Sequence, residues 1–186
     1  MKIFSSTFKI LLFILATASY VHSEDIQSMI LDYNHKNTLS QKRSDKNKGH
    51  MALDKKNTLK IYDQIFSSLV DRPQIYVFTD DKEYRDVFRR SKSFILTERF
   101  EMSDIILITS EEEFGKIRQE MLAGKFVAKK PILFSTSYRL LKRSTDIVGA
   151  LYWEKGRSQL LFIKDRLKKH QIELPQEYKI FLIDEL

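Results

Sequence analysis

Residues 104–109 constrain the fold more than any other part of the sequence. The central residues of this stretch, Ile105–Ile108, are apolar without interruption, so a strand formed by them cannot leave either face in water. Such a strand belongs in the middle of a mostly parallel sheet that is covered on both faces. The chain is therefore expected to fold around a buried parallel sheet.

Strand-like and helix-like segments alternate around this run. Strands are predicted at 74–79, 93–96, 104–109 and 131–134, and helices at 58–70, 82–90, 111–122 and 136–141. Two further strands over 149–163 flank Lys155-Gly156-Arg157, which is typical of a β-hairpin. The pattern predicts an α/β domain, a three-layer flavodoxin-like sandwich with a mostly parallel sheet and a C-terminal antiparallel hairpin.

Three details of the helices follow from local signals. Asn57 or Thr58 is placed to cap the first helix, and Leu122 is expected to point inward from the helix that begins at Glu111. At the C-terminus, a charged helix over 164–170 precedes a second helix that starts at Pro175. An edge strand over 178–183 is the alternative for that last segment.

The N-terminal residues have the three parts of a secretory signal peptide. Lys2 and Lys9 precede an apolar run over 10–18, and a less apolar stretch follows it. The run is shorter than the roughly 20 residues that a transmembrane helix needs. We therefore expect cleavage near Ser23, with 16–18 as a second choice of site, a periplasmic location, and no stable membrane insertion afterwards.

Residues 24–57 are predicted to form a polar arm or linker, and 58–186 a single α/β domain. Residues 41–49 have neither helical nor strand periodicity, whereas Ile26, Met29, Ile30 and Tyr33 recur at helical spacing. This spacing indicates a short amphipathic helix that docks on the domain or on a partner. The alternative is a helix that is only loosely attached.

Composition limits the chemistry that the chain can perform. It has no cysteine, which excludes disulfides, a thiolate nucleophile and the usual structural zinc site. The net charge is +7. In an exported protein, a basic surface favours anionic lipid head groups or an acidic protein face, and no nucleic acid partner is expected.

Polar residues follow the predicted parallel strands where ligands bind in open α/β sheets. They are Asp80, Asp81, Ser110, Ser135 and Thr136. These residues predict an acidic, hydroxyl-lined crevice, similar to the magnesium pocket of a receiver domain. The third strand, however, ends in Thr109-Ser110 instead of the aspartate that phosphotransfer needs. The alternative interpretation is that these side chains cap helices.

No set of residues predicts catalysis. The histidines after the signal, His35, His50 and His170, are not at metal-ligand spacing, and no G-x-S-x-G motif is present. The segment after the first strand, 79–83, has no glycine for a dinucleotide phosphate. We expect a protein that is not an enzyme and has no cofactor and no metal.

The predicted hairpin is the strongest candidate for a partner-binding surface. Tyr152 and Trp153 stand beside the basic turn with Lys155 and Arg157, and aromatic residues with arginine are typical of interfaces. Alternation is expected to bury one aromatic and expose the other. A core tryptophan beside a solvated turn is the alternative.

A series of segments in the C-terminal half has a recognisable order. It consists of the strand 104–108, Lys130-Pro131 with 132–134, Gly149-Ala150, Gly156-Arg157, the strand 160–163, and Asp165-Arg166-Leu167 with its helix. This order, over 72–186, resembles the YfiR-like family of periplasmic regulators. The family's cysteines are absent here, and Leu161-Phe162-Ile163-Lys164 replaces its asparagine-ending strand.

The resemblance implies a periplasmic sensor or regulator without enzymatic activity. Its partner would be the periplasmic part of an inner-membrane signalling protein, either a diguanylate cyclase or a sensor kinase. A periplasmic small-molecule or metal-binding protein that uses the crevice is the second hypothesis. The sequence leaves open whether the chain forms a homodimer.

Overall fold

The computed structural model describes residues 55–124, 130–154 and 157–186, together with Ser28. The predicted signal peptide, nearly all of the predicted arm, and Lys155 lie outside the described residues. Five α-helices are described: α1 Lys55–Leu69, α2 Lys82–Phe88, α3 Glu111–Leu122, α4 Tyr138–Arg143 and α5 Lys164–Lys169. Two 3-10 helices cover Phe100–Met102 and Gln176–Phe181.

Seven strands form one sheet. They are β1 Ile75–Phe78, β2 Phe94–Leu96, β3 Ile105–Ile108, β4 Ile132–Ser135, β5 Ile147–Glu154, β6 Arg157–Ile163 and β7 Leu182–Ile183. Their order is β2-β1-β3-β4-β5-β6-β7. The pairs from β2 to β5 are parallel, β5 and β6 are antiparallel, and β7 is parallel to β6.

This topology confirms the predicted fold class. The order 2-1-3-4-5 of the parallel strands is that of flavodoxin-like sheets, and the hairpin adds β6 antiparallel to them. All four residues of β3 are buried, as its uninterrupted apolar sequence required. β3 lies between β1 and β4, where helices cover both of its faces.

Two hydrophobic clusters lie on opposite faces of the sheet. Alternate strand residues divide between them: Leu107 belongs to the cluster under α1 and α2, and Ile108 to the cluster under α3 and α4. The first cluster contains a group of edge-to-face aromatic rings around Phe66, which lies 5.8 Å from Phe134 and 6.0 Å from Phe88 between ring centroids. The domain is therefore a three-layer sandwich.

The first helix corrects one sequence prediction. α1 begins at Lys55, so Asn57 and Thr58 lie inside it and neither is its N-cap. The predicted domain start at 58 consequently falls within this helix. Thr58 is only 2% exposed because it shares the buried face with Ile61, Tyr62 and Ile65 at helical spacing.

The third helix corrects another prediction. Leu122 is 80% exposed and does not point into the core. Glu113 and Ile117 are buried, and Met121, four residues further on, is half-buried. Leu122 stands about 100° round the helix from Met121, at the solvent-facing side of the last turn.

The C-terminal segment combines the two predicted alternatives. A short 3-10 helix follows Pro175, and the chain then becomes the edge strand β7. Tyr178 is buried against Phe162, with 6.1 Å between ring centroids, and Leu182 pairs with Phe162. Pairing with β6 requires an extended backbone, so a long α-helix over this segment cannot form.

Candidate functional site

The carboxyl ends of β1 and β3 lie side by side, because the two strands pair in parallel. The strand order reverses between these two strands, and ligands of doubly wound sheets bind in the crevice at that point. β4 adjoins β3, so the loops after all three strands share one edge. The structure therefore brings the predicted crevice residues Asp80, Asp81, Ser110, Ser135 and Thr136 to the same edge.

A buried carboxylate, that of Glu113, occupies the point where the order reverses. Its Oε1 accepts a hydrogen bond from the backbone N–H of Asp80 at 2.9 Å. Its Oε2 accepts from the N–H of Thr109 at 2.8 Å and from the Thr109 hydroxyl at 3.2 Å. Glu113 is 3% exposed. The chain thus places its own anion against the backbone donors at the ends of β1 and β3.

The location of Glu113 also explains its electrostatics. Burial raises the pKa of the Glu113 carboxyl, while the hydrogen bonds from Thr109 and Asp80 act in the opposite direction. Glu113 lies in the first turn of α3, where the helix dipole favours a negative charge. The carboxylate therefore gains partners that offset part of the cost of its burial.

The other predicted crevice residues cap helices or link loops. The Asp81 carboxylate accepts hydrogen bonds from the N–H groups of Glu83 and Tyr84, and Ser110 caps α3 by accepting from the N–H of Glu113 at 3.1 Å. The buried Ser135 hydroxyl donates to the Ile108 carbonyl at 3.0 Å. The Thr136 N–H donates to the same carbonyl at 3.1 Å. The helix-capping interpretation accounts for Asp81 and Ser110.

A cleft of about 330 Å³ lies beside this edge. Its lining alternates in charge and consists of Phe78, Asp80, Arg85, Glu98, Phe100, Lys116, Ile117 and Glu120. Arg85 is hydrogen-bonded to Glu98, and Lys116 pairs with Glu112 at 2.9 Å. Within 55–124, 130–154 and 157–186, no group of three or more His, Asp or Glu residues could hold a metal ion. The exposed Asp80 side chain lies at the rim of this cleft.

The hairpin aromatics differ from the predicted alternation. Tyr152 and Trp153 are both half-buried, so neither is the fully exposed residue that was expected. The Tyr152 ring stacks on Tyr138 of α4 with 5.1 Å between centroids, whereas Trp153 packs against the opposite cluster. Both residues lie near the end of the hairpin, where the helical layers no longer cover the sheet completely. Each ring is therefore only partly covered.

The base of the hairpin depends on a close backbone approach. Gly149 of β5 pairs with Phe162 of β6. A Cβ atom at position 149 would lie 2.6 Å from the Leu161 carbonyl oxygen and 2.7 Å from a Phe162 ring carbon. At the other end, Glu154 pairs with Arg157, and both are exposed.

Sequence reasoning missed Glu113, the most distinctive residue at the carboxyl edge. Ser110 and Glu113 have the S-x-x-E spacing of a capping box, which is a detectable signal. In that motif the glutamate bonds back to the N-cap residue. Here it reaches instead to Thr109 and across to Asp80, which a local motif cannot predict.

The strand order and the side chains at the carboxyl edge define the class of this domain, which is a doubly wound α/β domain. The buried carboxylate of Glu113 occupies the point where the strand order reverses. Family models, curated proteins and solved structures were compared with the chain, and none matches. In the described residues, no helix is long and apolar enough to cross a membrane.

Proposed function

We propose that this chain is an exported, non-enzymatic regulatory domain that binds the periplasmic part of an inner-membrane signalling protein. The partner would be a diguanylate cyclase or a sensor kinase, as the resemblance to YfiR-like regulators implies. Export rests on the signal-like residues 1–23. The proposal therefore specifies a cellular location, the periplasm, and a class of partner, a membrane signalling protein.

The observation that carries the proposal is the position of Glu113. Its carboxylate already accepts hydrogen bonds from Asp80 and Thr109, the donors that a bound anionic ligand would need at this point in the sheet. An anionic ligand at this point would have to displace a buried, hydrogen-bonded side chain. This arrangement favours a protein that binds a partner on its surface over one that binds a cofactor where the strand order reverses.

The surface with the best composition is the part of the hairpin around Tyr152, Trp153 and Arg157. Tyr152 and Trp153 are half-buried on opposite faces, and Arg157 is exposed next to them. Half-buried aromatic rings are anchored by the core and still present area to a partner, which is typical of interface hot spots. The sequence between β5 and β6 contributes a further positive charge, that of Lys155.

The test is capture of a partner from detergent-solubilised inner membranes by the immobilised mature chain. We expect a protein with a cytoplasmic cyclase or kinase domain to be retained. The double variant Trp153→Ala with Arg157→Ala should lose that capture. The matched control, Tyr76→Ala with Arg118→Ala, removes an exposed aromatic ring and an exposed arginine elsewhere and should retain it.

Circular dichroism of both double variants separates a lost contact from a lost fold. If the hairpin variant remains folded and still captures the same partner, the hairpin is not the interface. Capture of no signalling protein by the unmodified chain would overturn the proposed function. Recovery of the uncut chain from the cytosol would remove its periplasmic setting.

The cleft beside Asp80 supports a second candidate function, that of a periplasmic small-molecule or metal-binding protein. Its volume of about 330 Å³ is at the lower limit for a small-ligand site. A ligand at 100 times its Kd would stabilise the fold by about 2.7 kcal/mol. A rise in Tm with a divalent metal or small cation, lost in Asp80→Asn, would favour this function over the regulatory one.

A further inference from the structure

An apolar groove of about 480 Å³ lies between α5 and the C-terminal segment of the chain. Its floor is formed by four aliphatic side chains, those of Leu167, Ile172, Leu174 and Leu182. Leu167 and Leu174 are 3% and 6% exposed and belong to the cluster under α1 and α2. Ile172 and Leu182 are half-buried and pack against the same cluster. The groove therefore reaches from the surface to the hydrophobic core.

A helix C-cap fixes one wall of the groove. The Gln171 N–H donates to the Lys168 carbonyl at 2.9 Å, and the Ile172 N–H donates to the Leu167 carbonyl at 3.0 Å. These two bonds are those of a Schellman motif, in which the residue after the cap adopts a left-handed conformation. Gln171 has this conformation, with a φ of 57°. The wall is therefore formed by the fold itself and does not need a ligand to order it.

Three lysines surround the apolar floor. Lys164 and Lys168 stand one turn apart on α5, and Lys179 belongs to the 3-10 helix that follows Pro175. Lysine side chains at such positions lay their methylene groups along apolar surface and keep their ammonium groups in water. The lining contains one carboxylate, that of Glu173. Positive charge therefore predominates around the groove.

The three ammonium groups differ in their present partners. Lys164 pairs with Asp184 at 2.9 Å, and Lys168 pairs with Asp165 at 3.2 Å, between nitrogen and oxygen. Both pairs are exposed to solvent, where such pairs contribute little to stability. The exposed side chain of Lys179 has no hydrogen bond or ion pair in the part of the chain that the structure describes. An anion can therefore reach Lys179 without breaking an existing contact.

We propose that this groove binds a single-chain amphiphile with an anionic head, of which an alkyl carboxylate is the simplest example. The alkyl chain covers the apolar floor and displaces water from it, and Lys179 binds the carboxylate at the rim. An apolar cavity with a few polar groups, of about 300–1,000 Å³, is typical of small-ligand sites. The inference goes beyond the proposed function, because neither the hairpin nor the cleft beside Asp80 contributes to this groove.

The size and depth of the groove favour a single alkyl chain over a helix or a bilayer. A helix about 10 Å wide fills about 420 Å³ per turn, so a volume of about 480 Å³ admits little more than one turn. Helices that bind in grooves use anchors spread over two turns or more. A flat bilayer contacts side chains that protrude, whereas Leu167 and Leu174 are buried. A single alkyl chain can reach both of them.

Isothermal titration calorimetry of the mature full chain with monomeric alkyl carboxylates tests the class of ligand. From octanoate to dodecanoate, we expect the Kd to fall by about two- to fourfold for each added methylene, because each one buries apolar surface. Decyltrimethylammonium, with the same chain length as decanoate and the opposite charge, should bind at least about tenfold more weakly. Bound decanoate should slow amide hydrogen exchange in 167–174 and leave exchange in β2 unchanged.

Variants separate the contribution of the rim from that of the floor. Lys179→Gln should weaken decanoate binding by about two- to fivefold, since an exposed ion pair is lost, and should leave the Kd of uncharged decanol unchanged. Lys92→Gln, at an exposed lysine far from the groove in sequence, is the matched control and should have no effect. Ile172→Asn should weaken decanoate and decanol alike. Tm values verify that the variants fold, and Lys179→Gln remains decisive if Ile172→Asn does not.

Four outcomes would overturn the proposal. The first is that no carboxylate binds, and the second is that decyltrimethylammonium binds as tightly as decanoate. The third is protection by anionic vesicles without protection by monomeric decanoate, which would make a membrane surface the ligand. The fourth is joint protection of 26–33 and 167–174 in the free chain, which would make the N-terminal arm the occupant. Capture of a membrane signalling protein is measured separately, so the proposed function stands or fails independently of these results.

Discussion

The carboxyl edge of β1 and β3 and the end of the β5-β6 hairpin differ in how much of their side-chain surface is buried. At the first, the N–H groups of Asp80 and Thr109 donate to the buried Glu113. In the second, Tyr152 and Trp153 are half-buried on opposite faces of the sheet, and Glu154 and Arg157 are exposed. The comparison teaches that a fold's customary ligand position can be used for stability, which directs the search for a binding surface to side chains that remain partly exposed.

The largest expected effect is that of Glu113→Ala. Removing the carboxylate leaves two backbone N–H groups without their acceptor, and an unsatisfied buried donor costs about 1–3 kcal/mol. We expect the free energy of unfolding to fall by about 2–4 kcal/mol in urea titrations, because two such donors are affected. The exposed neighbour Glu112 is the control. A loss no greater than that of Glu112→Ala would mean that water replaces the carboxylate easily.

Gly149→Ala should have the next largest effect and tests the hairpin side of the comparison. The new Cβ would lie 2.6 Å from the Leu161 carbonyl oxygen, and overpacking of this kind costs about 1–3 kcal/mol. Gly115→Ala is a matched control, because nothing lies within 4 Å of a Cβ there and the residue is in α3. The control should gain about 0.5–1 kcal/mol, and thermal denaturation measures both variants. Equal stability of the two variants would contradict the close approach.

Ser110→Ala should have a smaller effect and separates a cap from a ligand contact. Ser110 caps α3, and loss of an N-cap costs about 1 kcal/mol. Ser110→Asn should restore most of the stability, since asparagine caps equally well. An unchanged Tm for Ser110→Ala would return this residue to the list of candidates for ligand binding.

The smallest effect is a dependence of stability on pH. Burial raises the pKa of Glu113 above its ordinary value of 4.5, so the folded protein binds this proton more tightly than the unfolded chain does. As the pH rises from 4.5 to the pKa of Glu113 in the folded state, the free energy of unfolding therefore decreases. The difference in unfolding free energy between the unmodified chain and Glu113→Gln should fall over that range. A difference that rises with pH would show that the hydrogen bonds outweigh burial.

Patterns within single segments predicted most of the fold. The uninterrupted apolar residues of β3 and the alternation of strands and helices indicated the covered parallel sheet, and the turn composition indicated the hairpin. Helix ends were less well predicted, as Thr58 and Leu122 show. Their placement depends on which neighbouring layers cover them, and periodicity within one helix does not report this.

The candidate site was predicted only in part. Strand ends correctly indicated that Asp80, Ser110 and Ser135 lie at one edge, because adjacent parallel strands end together. For Asp81 and Ser110 the sequence left a ligand pocket and helix capping as alternatives, and the structure shows that both residues cap helices. The half-burial of both Tyr152 and Trp153 was not predictable either, since it depends on how far α4 and the opposite layer extend along the hairpin.

The sequence by itself determined the class of fold, because the period of apolar residues dictates whether a segment becomes a strand or a helix and which face it buries. Only the tertiary structure decided that Glu113 bonds to Asp80, 33 residues away in sequence, and that β7 covers just the end of β6. Contacts of this kind depend on the lateral order of strands and on where each one stops. Those quantities result from the packing of the whole chain and have no local signal.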